Sequence, residues 1–539
     1  MSLDGNMKKL LLILFTFHFS LLTLPAQDVI SLVGSWDFST ADSAVYDDYV
    51  MLPECRQVRK AWYKKNVYVP QSWAGRHVTL YLERPYIETT VYVNGIKAGH
   101  QLSTSTPHQY NVSPCIKPGG RNTIEVCVYN EQGDRNGIVG KMELRSQPED
   151  LYIKQVKLHP HPFKGYVEVE VSLGGVISYL SDYAMGVMVK REDVDSADVY
   201  QRFYDITSSH MTVAMPVGNQ VAVWDEFTPH LYRIGIVVGG DYYETSFGMR
   251  ELVVEGRQLM TNRRPLYLRG TLESCSFPKT GYPPMDEAAW TRILTKIKGY
   301  GLNYVRFHSY CPPEAAFTAA DKLGVYLQPE GPSEESQLVE DTYGHHPSFF
   351  LLQPQQDSVV SILPIIAHGM EAQAEHSLMA SGKLQTLCYK YEIERNLMTK
   401  DCAGFLLPAL DDCSGQDWRE FCGPIVPLAK FPKFAYTNAD TLVVPVEAYN
   451  AMYGDIDVVR STYYICNDSM KVLAGGQLSA RGLPIGKNTP LGTVVFPLDS
   501  VKEATKLTLA VQIAGQIKNH WDFWVYPDSA SDNHPFLHE

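Results

Sequence analysis

The chain has 539 residues, with 47 Lys or Arg against 60 Asp or Glu, giving a formal net charge of −13. Hydrophobic residues make up 45% and charged residues 20%, values that exclude a disordered tail, a collagen or a coiled coil. The acidic balance argues against a nucleic-acid partner, which calls for a basic footprint, and the length allows roughly three to five domains.

Lys8 and Lys9 precede an apolar run from Leu10 to Leu24 that closes on Pro25-Ala26. A basic start, a short apolar stretch and a small residue before the cut predict a signal peptide over residues 1–26, so the protein is expected to be exported, to the periplasm or the extracellular space. The run is short for a membrane crossing, and no other stretch approaches about 18 consecutive apolar residues, so no membrane span is expected. None of the 10 cysteines stands in C-x-x-C. Their scatter sets no disulfide framework, and most are expected to be buried thiols.

Over residues 27–148 apolar residues alternate at Val78, Leu80 and Leu82 and again at Ile124, Val126 and Val128. Val91 and Val93 lead into Asn94-Gly95, a strong two-residue hairpin signal. This predicts a β-sandwich in which Trp62 and Trp73, though able to stack on a sugar, read as packing residues. Residues 149–258 continue the alternation at Val167, Val169, Val171 and Leu173, with Glu168 and Glu170 between them, as in an immunoglobulin-like sandwich.

The period changes over residues 259–425. A strand at Leu266 to Gly270 is followed by a helix N-capped by Asp286, with Trp290, Ile293, Leu294 and Ile297 on one face and its end near Gly301. Next come a strand from Asn303 to His308, a helix opened by Pro312-Pro313 and stopped by Gly324, and a strand from Val325 to Gln328. Ile362 to Ala367 reads as a further strand, Glu371 to Lys400 as a helix with a weak point at Gly382, and Gly404 to Leu410 as one more strand. Strands alternating with helices predict parallel βαβ units. Residues 426–539, alternating from about Phe431 to near Pro527, predict a C-terminal immunoglobulin-like β-sandwich.

The order sandwich, sandwich, β/α region, sandwich resembles glycoside hydrolase family 2, which includes β-galactosidases and β-glucuronidases. The resemblance rests on Leu80-Tyr81-Leu82 with Val91-Tyr92-Val93-Asn94-Gly95 and Asn122-Thr123-Ile124-Glu125-Val126, similar to the family's sugar-binding jelly roll. It continues in Phe247-Gly248-Met249-Arg250-Glu251 and Arg264-Pro265-Leu266-Tyr267-Leu268-Arg269-Gly270, which look like the entry to its barrel. Gly301-Leu302-Asn303-Tyr304-Val305-Arg306-Phe307-His308 resembles its second barrel strand, and Leu323-Gly324-Val325-Tyr326 with Glu330 its third. The implied fold is multidomain and mostly β: jelly-roll sandwich, immunoglobulin-like sandwich, incomplete (β/α)8 barrel, C-terminal sandwich. The implied partner is carbohydrate and the implied chemistry hydrolysis of terminal β-O-glycosidic bonds with retention. Arg306, His308 and Glu330 are then the expected substrate-binding residues, since polar groups at the C-terminal ends of barrel strands line the site. For Arg306 and Glu330 a buried ion pair between neighbouring strands is the bland alternative, and for His308 a packed histidine.

A retaining glycosidase needs two carboxyls about 5–5.5 Å apart. The family's acid/base follows an Asn at the end of strand four, yet the segment expected there, His346 to Leu352, runs into Gln353-Pro354-Gln355-Gln356. Pro364-Ile365-Ile366-Ala367-His368 resembles the family's seventh strand, and Gly369 stands where its nucleophile would follow; the nearby Glu371 and Glu375 read as the outer part of a helix. Leu266 to Gln416 spans 151 residues, against about 250 for a full barrel, and only residues 331–361 separate the third strand from the seventh-like one. The sequence therefore predicts a catalytically impaired glycosidase relative, with a non-catalytic carbohydrate-binding or scaffold protein as the alternative. No nucleotide cofactor is suggested, because no G-x-G-x-x-G follows a strand. No metal is suggested either: His345-His346 is the closest approach to a ligand pair, and it reads as a polar loop.

Overall fold

In the computed structural model, the structure describes residues 28–40, 45–46, 48–131, 133, 135–175, 183–194, 199–218, 220–255, 258–275, 277, 279–350, 353–354, 374–399, 403–407 and 415–528, without the side chains of 353–354, 374–384 and 415–417. The first sandwich packs a six-stranded sheet on a four-stranded one. The six run in the order Asp48–Leu52, Gly34–Ser39, Lys60–Val69, Gly120–Tyr129, Glu88–Val93, Ile96–Leu102, and the four in the order Asp28–Ser31, Met142–Pro148, Arg76–Leu82, His108–Asn111. The alternation explains the layers: Val78, Leu80, Leu82, Ile124, Val126 and Val128 all point into one buried cluster. At the hairpin Val93 faces Ile96. Asn94 and Gly95 both take positive φ, 51° and 79°, the conformation that a two-residue turn between twisted strands demands.

The second sandwich opposes a sheet of Tyr152–His161, Tyr166–Gly174 and His210–Pro216 to one of Tyr200–Asp205, Ala184–Arg191, Tyr232–Val238 and Asp241–Phe247. Val167, Val169, Val171 and Leu173 are buried on one face, as their spacing predicts. The C-terminal sandwich pairs Ile425–Ala429, Thr441–Asn450 and Asn488–Pro497 in one sheet. The other runs Ala435–Thr437, Ile517–Tyr526, Thr505–Ile513, Ile456–Asn467, Val472–Leu483. This sheet system starts at Ile425, a few residues before the alternation becomes legible, because Ile425–Ala429 is buried on both faces and shows no polar beat.

Between these lies a parallel sheet in the order Tyr326–Gln328, Tyr304–Phe307, Leu268–Glu273, Gly404–Leu407. Leu327 bridges Phe349 in parallel, and Glu330–Gly331 pairs in parallel with Gln353–Pro354. The helix Glu287–Gly299 starts where Asp286 accepts a hydrogen bond from the Ala289 amide at 2.8 Å. It buries Trp290, Leu294 and Ile297 against Phe307 and Phe317. It stops two residues short of Gly301, whose φ of 87° turns the chain beneath the Cys422 carbonyl. The helix Glu314–Leu323 ends on Gly324 in the left-handed conformation.

The helix Ala374–Leu397 runs through Gly382 without a break, so the roughly 1 kcal/mol penalty of one glycine does not interrupt it. Its last turns are held by the C-terminal sandwich: Glu394 accepts from Trp521 Nε1 at 2.7 Å and from Asn519 Nδ2 at 2.8 Å. Two short helices, Ser336–Tyr343 and Gly415–Cys422, have too few turns to leave a periodic signature. The proposed signal segment, the Ile362 to Ala367 strand, Gly369 and Glu371 lie outside the described residues; Glu375 falls in the long helix, at a position whose side chain is not described. Eight cysteines are described and all are free thiols. Cys115, Cys127, Cys311 and Cys422 are buried, but Cys55, Cys275 and Cys466 are partly exposed and Cys388 is exposed, so the expectation of mostly buried thiols holds for only half of them.

Candidate functional site

Tyr304, Arg306 and His308 follow one another at every second position and so share one face of their strand. Gln328 and Glu330 do the same on the neighbouring one. The carboxylate of Glu330 is 1% exposed and binds on both oxygens. Arg306 donates to Oε1 through Nε at 2.8 Å and through Nη2 at 2.5 Å. His308 Nδ1 lies 3.2 Å from Oε2, and the Ser309 amide donates to that same oxygen at 2.8 Å. One layer deeper, the Tyr304 hydroxyl donates to Gln328 Oε1, and burial pushes the Tyr304 phenol up to about 12.

The ion pair between neighbouring strands is therefore present, and it takes in the histidine as well. The pair is one-sided: Glu330 is sealed, while the side chains of Arg306 and His308 are 27% and 34% exposed. An ionised carboxylate only accepts, so His308 donates to Glu330 from Nδ1, which leaves Nε2 uncommitted to that carboxylate. Arg306 keeps Nη1 without a protein partner among the described residues. The partly exposed edge thus places Arg306 Nη1 beside the His308 ring, two groups able to hydrogen-bond a sugar hydroxyl.

The turn that follows is strained. Ser309 has φ of 65°, which costs a non-glycine residue roughly 1–2 kcal/mol, and its amide is held by Glu330. The Glu330 amide in turn donates to the Tyr310 carbonyl at 3.1 Å. Tyr310 packs on Phe307 with ring centroids 5.2 Å apart; burial raises its phenol well above the ordinary value, and its hydroxyl finds no partner among the described residues. From the first sandwich Arg84 reaches this turn, donating from Nη2 to the Cys311 carbonyl and from Nη1 to the Thr104 carbonyl at 2.9 Å. Sequence reading missed Ser309, Gln328 and Arg84. The every-second-residue rule could have found Gln328 from Glu330, but nothing local marks Arg84.

The position after the third strand's neighbour is occupied by Gln353-Pro354, in register with Glu330-Gly331. The segment expected to approach a fourth strand does lie beside the third, and Gln353-Pro354-Gln355-Gln356 follow it in the sequence, with no glutamate at the expected place. Trp73 is buried in the first sandwich, and Trp62 packs on Tyr92 with centroids 5.9 Å apart. His345-His346 does lie in a turn, but it is not an open polar one: His345 is half-buried and His346 buried, with His346 Nδ1 2.6 Å from Asp321 Oδ2 and its ring stacked on Phe317. Among the described residues no group of three or more His, Cys, Asp or Glu is arranged to hold a metal ion, and no helix is long and apolar enough to cross a membrane.

These sheets and their order define a multidomain β-sandwich protein built around a parallel sheet, the architecture of solved glycosidases. A β-D-mannosidase from Dictyoglomus thermophilum superposes with a TM-score of 0.70 at 12% identity, over 92% of this chain and 89% of that one. A β-glucuronidase from Bacteroides uniformis gives 0.59 at 12% identity, over 93% and 80%. In sequence, a β-glucuronidase of Streptococcus agalactiae is 24% identical over 315 residues, 53% of this chain and 52% of that protein. β-Galactosidase 2 of Enterobacter cloacae is 26% identical over 275 residues, 46% and 26%. The chain thus spans about half or less of the length of these two relatives. Its curated relatives are β-glucuronidases and β-galactosidases of glycoside hydrolase family 2, the family its sequence resembles. Residues 440–527 match a domain of unknown function (DUF8488).

Proposed function

We propose that this chain is an exported relative of the β-glycosidases that binds β-linked carbohydrate at the Arg306–His308 edge and is impaired in hydrolysis. The observation that carries the reading is the saturation of Glu330. With both oxygens engaged by Arg306, His308 and the Ser309 amide, this carboxylate is a clamp for two sugar-facing side chains and is not poised as an acid, base or nucleophile. Retaining hydrolysis needs a second carboxyl about 5–5.5 Å from the first, and the strand beside Glu330 carries Gln353-Pro354 instead. The sheet order supports the lineage: parallel strands in the succession 326, 304, 268, 404, extended by the Leu327–Phe349 bridge, are in keeping with one arc of a barrel wall.

Aryl β-glucuronides and β-galactosides should give no turnover above a no-protein control. Methyl β-D-glucuronide or methyl β-D-galactoside should titrate the ring resonances of His308, and Arg306→Ala should weaken that binding about tenfold, the loss of one or two hydrogen bonds to a charged donor. Turnover that disappears in Glu330→Gln would overturn the reading. The alternative, a scaffold binding glycans through its sandwiches, predicts glycan binding that Arg306→Ala leaves unchanged.

A further inference from the structure

The turn that fixes Glu330 is not held by the parallel sheet alone. Arg84 stands in the first sandwich, 227 positions from the Cys311 carbonyl that its Nη2 meets. Its other terminal nitrogen donates to the Thr104 carbonyl at 2.9 Å, and its own backbone is in the left-handed region, φ 54°. Thr104 is itself pinned from the far side: Glu335, just beyond the third parallel strand, accepts from the Thr104 amide at 2.9 Å, the Ser103 hydroxyl at 2.9 Å and the Ser105 amide at 3.1 Å. Tyr343 donates to the Ser105 carbonyl at 3.2 Å. The guanidinium therefore spans two carbonyls, one on a loop locked to Glu335 and one on the turn after the second parallel strand. That turn is short. Ser309 gives its amide to Glu330, Tyr310 gives its carbonyl to the Glu330 amide, and Cys311 gives its carbonyl to Arg84.

We infer that Arg84 is a positioning residue for the Arg306–His308–Glu330 site, holding the Ser309–Cys311 turn in its strained conformation so that the Ser309 amide keeps the Glu330 carboxylate in place. The inference that this site then takes carbohydrate rests on the function proposed above; the positioning itself does not. A planar guanidinium with paired donors serves two carbonyls at once, whereas a lysine ammonium is a single point on a flexible stem. A contact that served only to dock the first sandwich would be interchangeable with its other contacts to the sheet region. One of these is Arg135, which donates to the Gly281 carbonyl at 2.6 Å and touches no part of the turn.

The test uses the full chain and amide hydrogen exchange, read at Ser309 and Glu330. Arg84→Gln should speed exchange at both amides about tenfold or more, the effect of losing a charge-assisted hydrogen bond, while Arg135→Gln leaves both unchanged. Arg84→Lys, which keeps the charge and can reach one carbonyl, should fall between, and it carries the test if Arg84→Gln does not fold. In parallel, methyl β-D-glucuronide and methyl β-D-galactoside are titrated against each variant by the His308 ring resonances. Affinity should fall about tenfold in Arg84→Gln and stay at the parent value in Arg135→Gln. Unchanged exchange at Ser309 in a folded Arg84→Gln protein overturns the inference, and so does equal acceleration in Arg135→Gln. Accelerated exchange with no sugar binding by the parent chain supports the positioning and removes the carbohydrate reading instead.

Discussion

His346 shows how much chemistry a single buried side chain can hide. Burial alone pushes its imidazole down, but the charge of Asp321 and the 2.6 Å hydrogen bond to it, with Glu314 behind, outweigh burial and hold the group above its usual 6.5. Asp321 also accepts the Ser348 amide at 2.9 Å, so the carboxylate helps hold a segment whose Pro347 and Phe349 carbonyls accept from Arg250. A histidine whose folded value is raised adds stability that is fully present below the unfolded value and is lost as pH rises through the folded one. His346→Gln should therefore cost about 3 kcal/mol near pH 5.5, and the gap to the parent protein should narrow as pH rises above the ordinary imidazole value of 6.5. Urea unfolding of both proteins across that range measures it, and a gap independent of pH would sink the assignment. His345, at 4.1 Å and held well below its usual value first by burial and then by the His346 charge, is present in both proteins. The sequence displayed the two adjacent histidines but not the burial of His346 or its partner Asp321, 25 positions earlier. Arg306, His308 and Glu330 were readable because their segments resemble the family's second and third barrel strands, which puts them at the C-terminal strand ends that line such a site. Arg84 and Ser309 were not, since their roles come from a contact between distant segments and from a single backbone angle.

At the scale of elements, the helices and strands with strong local signals formed close to where the residues predicted. Asp286 caps its helix, Trp290, Leu294 and Ile297 are its buried stripe, and Gly324 ends the next helix. Signals failed where an element is short or buried on both faces, as with Gly415–Cys422 and Ile425–Ala429. Gly324 carries two demands at once. Its φ is 68°, and a Cβ there would stand 2.8 Å from the Asp225 carbonyl oxygen and 2.9 Å from Glu226 Cα, both backbone atoms. Gly324→Ala meets the left-handed penalty of roughly 1–2 kcal/mol together with a clash that only a shift of the second sandwich relieves. A loss of about 3 kcal/mol is expected from these two mechanisms together. Gly299→Ala is the internal control, since a Cβ there meets nothing within 4 Å and replaces a helical glycine, so it should leave stability unchanged or raise it by up to about 1 kcal/mol. Thermal unfolding of the two variants side by side decides it: equal melting temperatures would mean that the approach to Asp225 and Glu226 is not felt.

Across the whole molecule, the same Asp225-Glu226 pair joins the second sandwich to the underside of the parallel sheet. Glu226 is 8% exposed and accepts from Arg269, which is 3% exposed, and from Asn303 Nδ2 at 2.8 Å. Arg269 also donates to the Gly301 carbonyl at 2.8 Å, and Asn303 Oδ1 accepts the Arg269 amide at 2.7 Å. Lys298 donates to the Glu226 carbonyl at 3.0 Å. The two ends of the sheet are thus tied to different sandwiches. Arg84 and Glu335 bind the first at the end that carries the candidate site, and Glu226 binds the second at the opposite end. An open parallel sheet has edges that need cover, and here the sandwiches supply much of the sheet's anchorage. Removing Glu226 leaves Arg269 buried without its counter-charge, a change that costs about 3–5 kcal/mol and falls on the junction. Glu226→Ala should therefore do more than lower the melting temperature. The second sandwich keeps its own apolar core, built on Val167, Val187, Ile234 and Phe247, so it should go on melting at its former temperature while the sheet melts earlier. Calorimetry should then resolve an additional, earlier transition, with the calorimetric enthalpy exceeding the van't Hoff value across the whole profile. Arg269→Met in the same background removes the stranded charge and should return part of the lost stability. If Glu226→Ala melts with the parent's profile, the junction is not where the molecule's cooperativity resides, and the sheet must be held chiefly by its helices and by the C-terminal sandwich through Glu394.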